Sequence, residues 1–261
     1  MNEGVRRALG CGCGSVLAMV MAIIMVGVGL FSFGPANKYS GSDPLPENVP
    51  PLRGEEVPMI DVHAPGRTSL KLGFWAEPIA KDTGIPVAAL QAYGNAELIA
   101  AQAWPECHLS WTTLAGIGWV ETQHGSYSGK VFSPSKINAE GYVEPPIVGP
   151  ALDGSNGFME IRDTDNGELD GDTEFDRAVG PMQFIPTTWA RFGRDANGDG
   201  KADPQQIDDA ALSAAHLLCA GRNLTDPEEW RSAIHAYNQS TEYMLKVREA
   251  ANAYAERRTV Y

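Results

Sequence analysis

The sequence predicts a mainly α-helical globular domain of α+β character, set behind a single N-terminal membrane-spanning helix. Three observations carry this. No charged residue occurs between Ala8 and Asn37, and Val16 to Phe33 is nearly all apolar, roughly the length that crosses a bilayer core. A stretch holding Pro44, Pro46, Pro50, Pro51, Pro58 and Pro65 follows, which no helix or interior strand tolerates. Beyond Leu72 the pattern turns helical, interrupted by one long run rich in Gly, Pro, Asp and Ser.

These features divide the chain into a cytoplasmic N-terminus (1–14), a transmembrane anchor or uncleaved signal (15–36), a proline-rich linker (37–71) and a catalytic-sized domain (72–261). Arg6 and Arg7 precede the apolar run, so the positive-inside rule sends the domain outside. The expected location is the cell membrane, single-pass with an extracytoplasmic domain. The alternative is secretion after signal cleavage near Gly34 and Ala36, although the apolar run exceeds a usual signal core.

Cysteines follow the same partition. Cys11 and Cys13 sit at the cytoplasmic edge, whereas Cys107 and Cys219 lie in the exported part, where disulfides persist. Pairing of Cys107 with Cys219 is expected; two separate buried thiols are the alternative. The formal net charge of −13 argues against nucleic acid, whose binding depends on clustered Lys and Arg.

Helices are expected from Ile85-Pro86 to Ala103, with Pro86 in the first turn, and from Ser110 to His124, with Ser110 as N-cap and Gly125 as a left-handed terminator. Ser126 to Asp176 reads as long loops with a short hairpin. Helical signals return at Pro186–Phe192, Asp208–Ala220, Pro227–Tyr237 and Thr241–Arg257.

Glu121, in Gly116-Ile117-Gly118-Trp119-Val120-Glu121-Thr122, falls on the same predicted helix face as Leu114, Ile117 and Gly118 and so points inward. It also sits in the last helical turn, where the macrodipole disfavours a carboxylate. Burial and dipole both raise its pKa and suit it to act as an acid near neutral pH. Taken by position alone, it is an ordinary helix glutamate. Gly180-Pro181-Met182-Gln183-Phe184 and Ala236-Tyr237-Asn238 change that reading.

With those two stretches, the chain resembles the lytic transglycosylases of the lysozyme superfamily, most closely the membrane-bound lytic murein transglycosylase B type, from about Leu72 to Tyr254. The resemblance implies a lysozyme-like fold and cleavage of peptidoglycan glycan strands between N-acetylmuramic acid and N-acetylglucosamine, with 1,6-anhydro ends. It implies Glu121 as the catalytic acid/base and Gln183 as a sugar contact. Tyr237 and Asn238 would face the reaction centre, and Met182 and Phe184 would line the cleft. Retaining cleavage usually uses two carboxylates; in this family a single acid suffices, and Asp176 is the candidate for a second. The rival readings are a hydrolase of the same fold and a non-catalytic glycan-binding cell-wall scaffold.

Asp195-Ala196-Asn197-Gly198-Asp199-Gly200-Lys201-Ala202-Asp203 opens like an EF-hand calcium loop, but Gln206 stands where the bidentate Glu belongs. The resemblance moves the last carboxylate to Asp209, giving a structural calcium ion held by Asp195, Asn197, Asp199, the Lys201 carbonyl and Asp209. An Asx-turn loop without metal is the alternative. Asp163, Asp165, Gly167, Asp170 and Asp172 form a weaker acidic run. His108, His124, His216 and His235 show no zinc spacing, and nothing implies an organic cofactor. The membrane enters as a partner only through the N-terminal helix, and protein partners stay open.

Overall fold

The computed structural model describes residues 47–127 and 134–260. The expected transmembrane helix lies outside the described residues. Among the described residues, no helix is long and apolar enough to cross a membrane.

The described chain is mainly helical. Its helices are α1 (Gly73–Thr83), α2 (Val87–Ala103), α3 (Trp111–Thr122), α4 (Pro186–Phe192), α5 (Ile207–Leu218), α6 (Pro227–Tyr237) and α7 (Thr241–Ala255). Local chemistry explains most boundaries. Pro186 and Pro227 occupy the first turns of α4 and α6, where a missing N–H costs nothing. The side chains of Ser110, Gln206, Asp226 and Ser240 accept backbone N–H groups at the starts of α3, α5, α6 and α7. Several limits differ from expectation: α5 ends at Leu218 and not Ala220, and α7 at Ala255 and not Arg257. Pro86 is the extended N-cap of α2. The left-handed end of α3 is Gln123 (φ 50°), continued by His124 (φ 59°) before Gly125 (φ 80°).

The core is built on two helix pairs: α2 packs on α5, and α3 packs on α7. Helix α3 has no amphipathic face. Every one of its residues except Trp119 is buried, which is how a helix apolar all round is accommodated. Glu121 is therefore interior because the whole helix is, and not because it shares a stripe with Leu114. Close approach explains Gly116 and Gly118: a Cβ on Gly116 would lie 2.5 Å from the Val247 carbonyl of α7, and one on Gly118 would lie 2.0 Å from the Tyr93 hydroxyl of α2. Cys107 and Cys219 form a disulfide, with Cα atoms 5.2 Å apart. It ties the turn before α3 to the end of α5.

The loop-rich middle is more ordered than its composition suggests. Strands β1 (Lys136–Ile137) and β2 (Val143–Glu144) form one antiparallel hairpin, with Ile137 opposite Val143. Strands β3 (Val148–Ala151) and β4 (Arg177–Val179), separated by 25 residues in the chain, pair as a second two-stranded antiparallel sheet, with Val148 opposite Val179.

Residues 47–71, read as linker from their prolines, pack onto the helices. Val57 is 3% exposed and part of the core. Backbone groups of this strap bond the helices directly: Leu52 N–H donates to Asn252 Oδ1, the Leu52 carbonyl accepts from Thr112, and Trp111 Nε1 donates to the Glu55 carbonyl. Arg53 donates to the carbonyls of His108 and Leu109 just before α3. Arg67 forms a buried ion pair with Asp208 at 2.6 Å. Proline kept residues 47–67 out of helices and sheets but left their polar and apolar groups free to dock, so the packed chain reaches upstream of Leu72.

Candidate functional site

The last turn of α3 brings Glu121 to a place where the residue is 9% exposed. Tyr243, near the start of α7, donates its hydroxyl to Glu121 Oε1 at 2.6 Å. Desolvation raises the Glu121 pKa to about 8, against a smaller lowering by the Tyr243 hydrogen bond. Near neutral pH the group is a protonated acid with a proton to give. Tyr243 escaped the sequence reading, because a residue 122 positions from Glu121 has no local signal linking the two. Tyr237 stacks on it, with ring centroids 6.5 Å apart and planes 9° from parallel. The hydroxyl pKa values of Tyr237 and Tyr243 are pushed well up, by burial first and the Glu121 charge second.

Beside this group lies the turn Gly180–Phe184, closed by paired backbone hydrogen bonds between Val179 and Phe184. Its peptide carbonyls are held one by one. Gln183 Nε2 donates to the Gly180 carbonyl (2.9 Å), Thr122 Oγ1 to that of Pro181 (2.6 Å) and the Tyr237 hydroxyl to that of Met182 (2.5 Å). The result holds Gln183 in the left-handed region (φ 49°), sparsely used by residues with a Cβ. Gln183 Oε1 is buried with no hydrogen-bond partner, an acceptor of the kind that a ligand donor would satisfy. Gly180 is required here, since a Cβ would meet the Pro204 carbonyl at 1.7 Å.

The remaining expected cleft residues divide. Tyr237 and Gln183 share the lining of a small cavity of about 60 Å³ with Phe184 and Ala236. Met182 is fully buried and Phe184 is 2% exposed, both in the hydrophobic core. They support the turn from beneath, and Met182 meets Tyr237 through its carbonyl. Asn238 ends α6, and its Oδ1 accepts from Ser240 N–H at 3.0 Å, so it shapes the α6–α7 junction. His124 bridges the hydroxyls of Tyr93 (3.2 Å) and Tyr254 (2.8 Å). Burial lowers its pKa to about 3, so it is neutral and serves as an internal strut.

The proposed calcium ligands are gathered in one loop that ends at α5. Asp209 is fully buried; its Oδ1 accepts from Ala196 and Asn197 N–H, and its Oδ2 from Asp203 N–H. Burial raises its pKa to about 7, helped slightly by Asp195. Asp195 accepts from the Gly198 and Gly200 N–H groups, and Asp199 accepts from Lys201 N–H and from Asn197 Nδ2. The donors are all oxygens, the class a hard cation takes, but Asp195, Asp199 and Asp209 do not bring their ligand atoms within 4.8 Å of one another. The loop also lines a groove of about 550 Å³, together with strap residues 62–66 and the end of α2; none of the Glu121 group borders it.

Among the described residues, the acidic side chains whose ligand atoms all lie within 4.8 Å of one another are Asp163, Asp165 and Asp176. Asp170 and Asp172, expected alongside the first two, instead accept from Arg177, through its backbone N–H and its guanidinium respectively. Asp176 is buried with both oxygens bonded to Thr164. It belongs to this acidic cluster, and none of its hydrogen bonds reaches Glu121 or Tyr243.

No curated protein and no solved structure matches the chain. The family model of the transglycosylase SLT domain matches residues 165–232. That segment holds the Gly180–Phe184 turn and the Asp195–Asp209 loop, while Glu121 lies before it and Tyr237 and Tyr243 after it. The match supports a lytic transglycosylase family and implies, in general terms, a glycan-cleaving activity on peptidoglycan.

Proposed function

We propose that the protein is a lytic transglycosylase of the membrane-bound B type, with a lysozyme-like domain. It cuts the bond between N-acetylmuramic acid and N-acetylglucosamine and leaves 1,6-anhydro-muramic acid. The observation that carries this is the buried carboxyl of Glu121, kept protonated by desolvation and held by Tyr243 beside the Gln183 turn.

In this reading Glu121 gives its proton to the glycosidic oxygen as the C1–O bond breaks. The substrate's own N-acetyl carbonyl stabilises C1. The Glu121 carboxylate then removes the proton of the muramic acid C6 hydroxyl, the O6–C1 bond closes the anhydro ring, and the acid is regenerated. A hydroxyl on the same sugar competes with water through its high effective concentration. Asn238 and Gln183 are the amide side chains offered for N-acetyl and hydroxyl contacts, and Tyr237 provides an aromatic wall.

A calcium ion would be held by Asp195, Asn197, Asp199, the Lys201 carbonyl and Asp209, where it would neutralise the loop. Residues 15–36 would anchor the domain to the outer face of the cell membrane. Digestion of purified peptidoglycan, followed by mass analysis of the fragments, tests the reading. Products lighter by one water than the hydrolysed equivalents are expected. Reducing ends would instead identify a hydrolase, and glycan binding without products a scaffold.

A further inference from the structure

Thr122 follows the acid in sequence yet is 1% exposed, so it cannot touch a glycan. Its hydroxyl is fully used. It donates to the Pro181 carbonyl at 2.6 Å and accepts from Gly125 N–H at 2.8 Å. The first bond crosses from the helix that carries Glu121 to the turn that carries Gln183. The second closes the left-handed run Gln123–Gly125 that ends the same helix. One hydroxyl thus joins three things: the end of the acid's helix, the reversal of the chain after it and the middle peptide of the turn.

The other side-chain bonds to that turn come from elsewhere. Gln183 bonds back within the turn, and Tyr237 reaches it from α6. On the far side, the Ile147 carbonyl that accepts from Gly180 N–H also accepts from Gln205 Nε2. Of these three, Tyr237 refers the turn to Glu121 indirectly, through its stacking on Tyr243; the Thr122 bond starts one residue from the acid.

We propose that Thr122 is a positioning residue, whose hydroxyl sets the register of the Gln183 turn against the Glu121 carboxyl. This rests on the transglycosylase reading. Sugar bound by the turn must present its glycosidic oxygen to the acid within a narrow distance, and a displacement near 1 Å costs about 100-fold in rate. Binding itself depends on the whole cleft and is less sensitive.

The test compares Thr122→Val, which keeps the shape and removes the hydroxyl, with Thr122→Ser, which keeps the hydroxyl. Turnover of a soluble glycan strand is measured per folded molecule, with circular dichroism to count the folded fraction. Thr122→Val should lose about 10- to 100-fold in kcat with KM changed by less than about threefold, and its alkaline limb should stay where the parent's lies, because Tyr243 and the burial of Glu121 are untouched. Thr122→Ser should recover most of the loss. Parent-like kcat in folded Thr122→Val overturns the proposal. So does a loss expressed only in KM, or a Thr122→Ser as impaired as Thr122→Val, which would mean that methyl packing matters and the hydroxyl does not. If Thr122→Val does not fold, Thr122→Cys, a weak donor of similar size to serine, makes the same comparison. An inactive parent, or an active Glu121→Gln, would fail the transglycosylase reading itself and is seen without any Thr122 variant.

Discussion

Replacing Glu121 with Gln tests burial and chemistry in one protein. A carboxyl whose pKa rises from 4.5 to about 8 on folding holds its proton more tightly folded than unfolded. Below pH 4.5 both states are protonated and the group contributes no difference. Between pH 4.5 and 8 the unfolded state ionises first, so stability falls as pH rises; above about 8 the full cost is present, on the order of 4–5 kcal/mol by linkage. Gln keeps the shape and the bond from Tyr243 but never ionises. Denaturant melts of both proteins at pH 4, 6, 8 and 9 should therefore show nearly equal stability at the acid end and a growing advantage for Glu121→Gln toward the alkaline end. Lysis should meanwhile fall by at least about 10²- to 10⁴-fold, because both half-reactions use the same group. A stability difference that does not change with pH, or a Glu121→Gln less stable than the parent at pH 9, would refute the buried-acid argument. Full lytic activity would refute the mechanism.

The remaining expectations are simpler to read. Tyr243→Phe removes the hydrogen bond that lowers the Glu121 pKa, so the alkaline limb of kcat/KM should move up in pH while turnover drops; a limb that moves down contradicts the assignment. Reducing the Cys107–Cys219 bridge, which closes a separation of 112 residues, should cost up to about 4.8 kcal/mol in the chain-entropy account, seen as a lower denaturation midpoint, and an unchanged midpoint would contradict it. Calcium at a hundredfold excess over its Kd should add about 2.7 kcal/mol, and Asp199→Ala should abolish the shift; a parent whose Tm ignores chelator has no such site. Arg67→Met should cost about 3–5 kcal/mol, because it removes the charge partner of Asp208, whose side chain is 1% exposed, and leaves it only the Gln206 Nε2 bond. A parent-like midpoint would show that the strap does not carry the domain's stability.

Legibility in the sequence followed the range of the interactions. Helices α4 and α6 have the expected limits because Pro186 and Pro227 mark their starts within one turn. The start of α3 was legible from Ser110, a local cap. Its end was not, since Gln123 and His124 adopt left-handed backbone before Gly125, and the His124 ring is held by tertiary bonds with Tyr93 and Tyr254. The inward position of Glu121 was anticipated for a partly mistaken reason, because periodicity cannot reveal a helix that is buried on every side.

By itself, the sequence determined the mainly helical class, the positions of most helices, the candidate acid and the pair of cysteines that could meet. Each depends on caps, prolines, glycines or residue identity, which act over a few positions. Only the tertiary structure decided that Tyr243 grips Glu121, that Thr122 holds the Gln183 turn, that Met182 and Phe184 face the core, and that the proline-rich strap docks through Arg67 and Val57. Those contacts join segments tens to more than a hundred residues apart. Their partners are selected by which surfaces remain to be buried once the helices pack, and nothing in the local chain records that choice.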